Sequence, residues 1–237
     1  MTISDVFALL EANKNERGMR NWEKYVPQKD RLKSFGIGLT VLRKLAKQIG
    51  RDRALALELW ESNTYDARVL ALLIDDPKQI TREQAESQVE QLEQGMLAHV
   101  FSTCDATLAK APFVVELTGD WIVHQDSTRR RCGYGLLYEL SKSKKKSAPD
   151  DAFFLKYIHY IDQVFPKEEP VVHLAMGHAL MGMGMRNRAL HAEALPVARR
   201  MGPIPVETGV TKCDPFDVVK HLTGDYATKK FGLILAE

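Results

Sequence analysis

The 237-residue sequence has few cysteines, little net charge and no long hydrophobic run. Its three cysteines, Cys104, Cys132 and Cys213, are widely separated and form no CxxC pair, which argues against a disulfide framework or a zinc site and indicates a reducing compartment. No uncharged apolar run approaches the roughly 18 residues that a membrane-spanning helix needs. The N-terminus carries acidic residues where a secretory signal would have a basic start and an apolar core. These absences predict a cytoplasmic protein that does not enter a membrane.

The sequence also has almost no stretch in which apolar and polar residues alternate, as they do in a half-buried strand. Apolar residues instead recur at helical spacing in segments of about 10 to 16 residues, which short loops join. Pairs of these segments follow one another about every 35 to 45 residues, the spacing of HEAT-like arrays. The pattern predicts an all-α fold, a HEAT-like helical-repeat superhelix (α-solenoid) with a concave basic face.

No linker is long enough or unusual enough in composition to divide the chain, so we expect a single α-solenoid domain over residues 1–237. A short N-terminal helical extension is predicted for residues 1–28, the HEAT-like array for about 29–202, and a C-terminal loop and helix for 203–237. Within this plan, helices are predicted from Met96 to Lys110 and from Ser127 to Lys142, and a linker from Asn21 to Pro27.

The net charge of +2 is small, but positive charge is concentrated in two segments. Lys29–Arg53 has 8 lysines and arginines against 2 acids, and Arg129–Lys146 has 7 against 1. In the first segment, a predicted helix from Gly38 to Ile49 places apolar residues on one face and three cations on another, namely Arg43, Lys44 and Lys47. Separated charge of this kind steers a polyanion towards one face, although solvated helix faces are the alternative interpretation.

Three predicted helices have an arginine close to their first turn: Arg68, Arg131 and Arg188. In stacked helical pairs, cations that recur at helix starts can line one extended groove. The ligand expected for such a groove is a nucleic-acid backbone. The basic loop Lys142–Lys146 is expected either to contact phosphates or to lie in solvent.

Asp105 lies within the predicted helix Met96–Lys110, and Phe101 precedes it by one turn on the same face. A carboxylate weakens binding to a polyanion, so its presence between two basic segments calls for a function. The alternative is that Asp105 pairs with Arg130 or Arg131, or simply faces solvent.

Several segments together resemble the AlkD-like family of DNA alkylation repair enzymes, over roughly residues 30–225. They are LRKLAK at 42–47, LELWESNTYDARVLALL at 57–73, the helix that ends in FSTCD, the run RRRCGYGLL, and the tail GPIPVETGVTKCDPFDVVKHLTGDY. The resemblance implies a HEAT-like solenoid whose concave face holds double-stranded DNA. It also implies, for active members, excision of N3- or N7-alkylated purines.

Carried over to this sequence, the family's catalytic carboxylate falls on Asp105, and the arginine that holds a phosphate near the lesion falls on Arg131. A carboxylate there would stabilise the cationic sugar and orient the attacking water. Arg129 and Arg130 would contribute on the same turn, because a guanidinium fork suits a phosphate. This chemistry needs no metal and no cofactor, and a monomer is expected.

The sequence departs from active members at two positions, where Phe101 and His178 replace tryptophans that pack against the damaged nucleotide. Three functions therefore stay open: a DNA glycosylase, a non-catalytic binder of bent, branched or damaged duplex DNA, and a HEAT-type scaffold for protein or peptide. His173 and His178 are five residues apart, which does not place them on one helix face as metal ligands. Trp60 and Trp121 are expected to pack between helices.

Overall fold

The protein, here a computed structural model, is described over residues 1–26, 32–206 and 214–232. Within those ranges the chain forms fourteen α-helices, two 3₁₀ turns and no strand. Its only bridge pairs there are isolated, Lys33 with Thr64 and Ile204 with Phe216. The all-α prediction is confirmed. The chain divides into two compact units, Met1–Val114 and Val115–Glu237.

The first unit contains seven α-helices and one 3₁₀ turn at Leu108–Lys110. These helices are α1 (Ile3–Ala12), α2 (Glu16–Tyr25), α3 (Leu39–Ile49), α4 (Arg53–Glu61), α5 (Tyr65–Ile74), α6 (Arg82–Val89) and α7 (Leu97–Ser102). Their starts follow ordinary capping chemistry, since side-chain oxygens of Thr2, Asp52 and Thr81 accept backbone N–H groups of the first turn.

Helix α5 is the centre of the first unit, because it packs against α1, α3, α4 and α7. Every residue from Val69 to Ile74 is buried, as expected for a helix that is apolar on all sides. At its first turn Asp66 is also buried and accepts hydrogen bonds from Ser34 Oγ, Phe35 N and Ile37 N at 2.8–3.0 Å. This carboxylate ties the segment that precedes α3 to the start of α5.

The second unit contains the remaining α-helices and a 3₁₀ turn at Phe165–Lys167. They are α8 (Val114–Ile122), α9 (Ser127–Lys142), α10 (Asp151–Val164), α11 (Pro170–Gly184), α12 (Arg188–Met201), α13 (Val218–Thr223) and α14 (Asp225–Phe231). The most extensive packing in this unit joins α9 to α11. At this contact Gly182 of α11 lies against Tyr138 and Ser141 of α9, and a Cβ at position 182 would overlap both side chains.

Several helix bounds agree with the sequence prediction and others correct it. The helix Ser127–Lys142 is confirmed residue for residue. The predicted helix Met96–Lys110 is wrong, because α7 ends at Ser102 and a turn follows. The predicted linker Asn21–Pro27 is wrong over most of its length, because Asn15 caps a helix that continues to Tyr25.

The tryptophans have structural contacts. Trp60 and Trp121 are buried, as packing between helices requires. Trp22 donates its indole N–H to Leu32 O at 2.8 Å, and its ring lies 4.4 Å from that of Tyr65.

Of the sequence features above, residues 29–31 of the first basic segment and residues 207–213 of the resembling tail, with Cys213, lie outside the described residues. Across the described ranges, none of the helices combines the length and the apolar character needed to cross a bilayer.

Candidate nucleic-acid interface

Asp105 lies on a tight turn that follows α7. Cys104 and Asp105 both have left-handed backbone, with φ of 56° and 69°, a region that residues other than glycine enter rarely and at a cost. Thr103 Oγ1 donates to His99 O at 2.6 Å, while Thr107 N and Oγ1 both donate to Leu72 O of α5 at 3.2 Å. The turn is thus fixed at both ends, and the Asp105 side chain is 57% exposed. Strained backbone held in this way is frequent at functional sites.

The Asp105 carboxylate borders a cleft of about 380 Å³ in the first unit. The lining residues are Arg43, Ala46, Lys47, Gly50, Arg51, Leu73, Asp105 and Lys110. Four of these side chains are cationic and one is acidic, so the cleft is positively charged with a single carboxylate at its edge. A concave cationic surface concentrates anions, and phosphate groups above all.

Each cation in the cleft has a different local environment. Arg43, from the exposed face of α3, forms an ion pair with Asp105. Arg51 donates to Leu73 O at 3.2 Å and Asp75 O at 2.7 Å, which closes the carboxyl end of α5. The side chains of Lys47 and Lys110 make no hydrogen bond or ion pair with the described residues. The two lysines are therefore the cations best placed to receive a ligand.

The predicted two faces of α3 are present in the structure. Leu42 and Leu45 are buried, whereas Arg43, Lys44 and Lys47 are exposed. Arg43 and Lys47 are four residues apart, so both reach the same cleft. Lys44 is exposed but does not line this cleft, and its contact with DNA stays a prediction.

Phe101 is a core residue, because only 1% of it is exposed. The expectation that Phe101 and Asp105 share one helix face is corrected, since the helix ends between the two residues. A ring in this position supports α7 and the turn but does not present a face for a nucleotide.

The repeated arginine at helix starts does not have one common role. Arg68 donates from Nε to Ser62 O at 3.2 Å and lies 5.1 Å from the Trp60 ring, and burial lowers its pKa. Arg188 donates to Phe231 O, at the end of α14. Both side chains stabilise neighbouring helix ends, and a contact of either with DNA stays a prediction.

The three consecutive arginines at the start of α9 also differ from one another in the partners that their side chains bind. Arg130 is bound on all sides: it pairs with Glu168 and Glu169 at 2.8 Å and donates to His124 O and Gln125 O. The hydrogen bond to Glu168 is the main reason that its pKa is raised. Such a neutralised guanidinium is a poor phosphate ligand.

Arg129 and Arg131 flank that network. Arg129 lies 3.6 Å from Asp126, the residue that caps α9. Arg131 is partly exposed, and its guanidinium group forms no hydrogen bond or ion pair with any described residue. Of the three, Arg131 is the guanidinium most available to a phosphate in the second unit.

The two histidines singled out in the sequence have aromatic neighbours. His178 lies 4.5 Å from the ring of Phe216 and 6.0 Å from that of Tyr138. His173 lies 4.3 Å from the ring of Phe165, with Nε2 3.0 Å from Glu168 O. In the described part of the chain, no three His, Cys, Asp or Glu side chains form a group that could hold a metal ion.

The sequence did not single out Arg51 or Lys110 as site residues. Arg51 belongs to the first basic segment, but it follows Gly50, where the helical pattern stops. Lys110 joins the cleft only because the chain turns between Ser102 and Leu108. Two left-handed residues without glycine leave no sequence signal for that turn.

Comparison with known proteins assigns the fold of this chain to a class and its sequence to a family. The chain superposes on a solved structure with a TM-score of 0.80 and 20% sequence identity, over 98% of this chain and 97% of the other. That protein is described as one of a new family related to the HEAT-like repeat DNA glycosylases with affinity for branched DNA structures. The fold is therefore of the HEAT-like repeat class.

The chain belongs to the DNA alkylation repair enzyme family, whose sequence model matches residues 6–212. It is also similar to the uncharacterized protein Lin0241 of Listeria innocua serovar 6a. The two are 23% identical over 202 residues, which cover 81% of this chain and 84% of that protein. The family resemblance predicted from the sequence is confirmed.

Proposed function

We propose that the protein binds double-stranded DNA and hydrolyses the N-glycosidic bond of N3- or N7-alkylated purines. The observation that carries this proposal is the exposed carboxylate of Asp105 at the edge of a cleft lined by four cations. The cations suit the phosphate backbone, and the one carboxylate suits a reaction in which the sugar becomes positively charged.

Alkylation at N3 or N7 gives the purine a positive charge, so the base leaves as a neutral molecule when its bond to C1′ breaks. The electron pair of that bond moves to the base and leaves an oxocarbenium-like sugar. The Asp105 carboxylate would stabilise this cation and orient a water molecule towards C1′. Water then adds to C1′ and loses a proton, which gives an abasic site and the free alkylated base.

Arg43 has a positioning role in this proposal. Its ion pair with Asp105 holds the carboxylate at the rim of the cleft, while Lys47 and Lys110 would take the phosphates on either side. Because Lys47 and Lys110 have no partner to give up among the described residues, phosphate binding there costs little rearrangement. In the second unit, Arg131 would hold a further phosphate.

The proposal is tested with duplex DNA that carries one 7-methylguanine. The protein should release 7-methylguanine, measured by mass spectrometry, and leave abasic sites in equal number. Asp105→Asn should reduce the rate at least about 100-fold, as loss of a key electrostatic group does, while binding is retained. Glu58→Gln removes an exposed carboxylate of α4 in the same unit and should leave the rate unchanged. Release that persists undiminished in Asp105→Asn would overturn the role of this carboxylate.

A second function is favoured by the burial of Phe101 and by His178 in place of tryptophan. With fewer aromatic faces to pack against a damaged nucleotide, the protein would bind branched or bent DNA without excising a base. The HEAT-like relative described by its affinity for branched DNA supports this alternative. Salt-sensitive DNA binding with no base release above background would establish it. In that case His178→Trp should restore measurable release if the missing ring is the cause.

A further inference from the structure

Four rings follow one another in the second unit, contributed by α9, α11, the segment before α13 and α13 itself, where His221 lies 5.1 Å from Phe216. We call Tyr138, His178 and Phe216 the aromatic row. His178 is the middle member, 6.0 Å from Tyr138 and 4.5 Å from Phe216 between ring centroids. All three side chains are partly exposed. The row is therefore at the surface of the unit and not inside its core.

Two glycines of α11 allow the outer rings to lie directly on the helix backbone. A Cβ at Gly182 would come within 2.7 Å of Tyr138 Cδ2, and one at Gly177 within 3.2 Å of Phe216 Cε1. The same Cβ atoms would also meet Ser141 and Ile204. The Ser141 and Ile204 atoms would be the nearest, so each glycine leaves room for a ring and for a neighbouring side chain, at a cost of about 1 kcal/mol relative to alanine inside a helix.

One face of the Tyr138 ring lies towards solvent, as the position of Lys142 shows. Its Nζ lies 4.5 Å from the centre of the Tyr138 ring, although the lysine side chain is 45% exposed and also pairs with Glu139. Because an exposed lysine ammonium group covers this face of the Tyr138 ring, a planar ligand can take its place there. Three more exposed cations, Lys144, Lys145 and Lys146, follow directly.

Aromatic rings beside lysines are the arrangement with which proteins bind single-stranded nucleic acid: the rings stack on bases and the cations hold the backbone. We propose that the aromatic row stacks on an unpaired base at a DNA branch, and that Lys142 moves from the Tyr138 ring to the adjoining phosphate. This proposal rests on the DNA binding proposed above and specifies the element of the substrate that the second unit takes.

The row would discriminate between branched and fully paired DNA. In an intact duplex the faces of the bases are covered by their neighbours, so the rings have nothing to stack on. At a flap or a junction, bases without partners expose their faces. The row should thus add affinity for branched DNA only, and the cleft around Asp105 should account for binding to duplexes.

Two ligands test this: a perfect duplex, and the same duplex with a single-stranded flap that carries 2-aminopurine at the junction. Wild-type protein should quench the 2-aminopurine fluorescence, because stacking quenches it. Tyr138→Ala should weaken flap binding roughly tenfold and leave duplex binding unchanged. Tyr138→Phe should behave as wild type. The matched control is Tyr226→Ala, which removes an exposed tyrosine, also near a lysine, from α14 of the same unit and should change neither affinity.

Bound flap with unquenched 2-aminopurine, which needs no variant to observe, would overturn the proposal. So would an equal loss of flap and duplex binding in Tyr138→Ala that melts at the wild-type temperature. If Tyr138→Ala is unfolded, Phe216→Ala replaces it with the same expected result. Failure of the wild type to bind either ligand would instead overturn the DNA binding proposed above, which is a distinguishable result.

Discussion

A buried carboxylate, Asp66, illustrates at the scale of one residue how this fold is held. Burial raises its pKa, and the hydrogen bonds from Phe35, Ser34 and Ile37 act against that shift. The three donors therefore favour the ionised form that burial disfavours. The segment they belong to has no secondary structure of its own, so this side chain holds it against α5 together with the backbone hydrogen bond from Tyr65 N to Lys33 O.

Asp66→Asn should destabilise the protein by about 3 kcal/mol, because it removes the charge and turns an NH₂ group towards backbone donors. The free energy of unfolding in urea, compared with wild type, measures the effect. Glu58→Gln, an exposed amide replacement nearby, should change it by less than about 0.5 kcal/mol. A loss no larger in Asp66→Asn than in this control would show that the three hydrogen bonds are not important for stability.

Substitutions at Cys104 test whether the turn that carries Asp105 is strained. Its φ of 56° suits asparagine or glycine and is unfavourable for a β-branched side chain. We expect Cys104→Val to cost about 1–2 kcal/mol of stability and Cys104→Asn to cost less than about 0.5 kcal/mol. Thermal unfolding of the two variants gives the comparison. Equal stabilities would mean that the turn relaxes easily and does not hold Asp105 in place.

At the scale of single elements, a buried histidine between α12 and α14 makes the stability of the fold depend on pH. His191 of α12 is buried, its ring centre is 4.9 Å from that of Phe231, and burial lowers its pKa below 6.5. As the pH falls through about 6.5, the unfolded chain binds a proton at this histidine while the folded protein does not. The contribution of His191 to stability is therefore complete above pH 6.5 and is lost below it.

The expected result is that wild type loses more stability than His191→Phe when the pH is lowered from 7.5 to 5.5. Urea unfolding gives the free energy of unfolding at each pH. The change between pH 7.5 and pH 5.5 is then compared between the wild type and His191→Phe. An identical loss in both proteins would contradict the assigned burial effect.

Elements differ in how far the sequence determines them. Helix α9 was predicted residue for residue, since Asp126 caps its start and its apolar residues keep helical spacing to Leu140. Helix α7 was predicted eight residues too long at its carboxyl end, because Ser102 to Asp105 include neither glycine nor proline. Thr107 donates hydrogen bonds to α5 and so holds the chain in a turn after α7. A contact between residues so far apart in the sequence cannot be predicted from the local pattern.

At the scale of the whole molecule, the fold class and the family were predictable, whereas the composition of the cleft was only partly so. Periodicity and resemblance led to a helical repeat protein and to Asp105, Arg43 and Lys47. Lys110 could not be placed, since it depends on the turn that follows α7. Phe101 was assigned to the wrong environment for the same reason. The DNA contacts expected of the repeated arginines stay predictions, and Arg68 and Arg188 each donate to a helix end within their own unit.

The central claim is that the cationic cleft around Asp105 receives the DNA backbone. The salt dependence of duplex binding tests it most directly, because each phosphate contact contributes about 0.9 to the slope of log affinity against log salt concentration. The double variant Lys47→Gln/Lys110→Gln should lower that slope by about 1.8, since both lysines line the cleft. A slope equal to that of the wild-type protein would contradict the account.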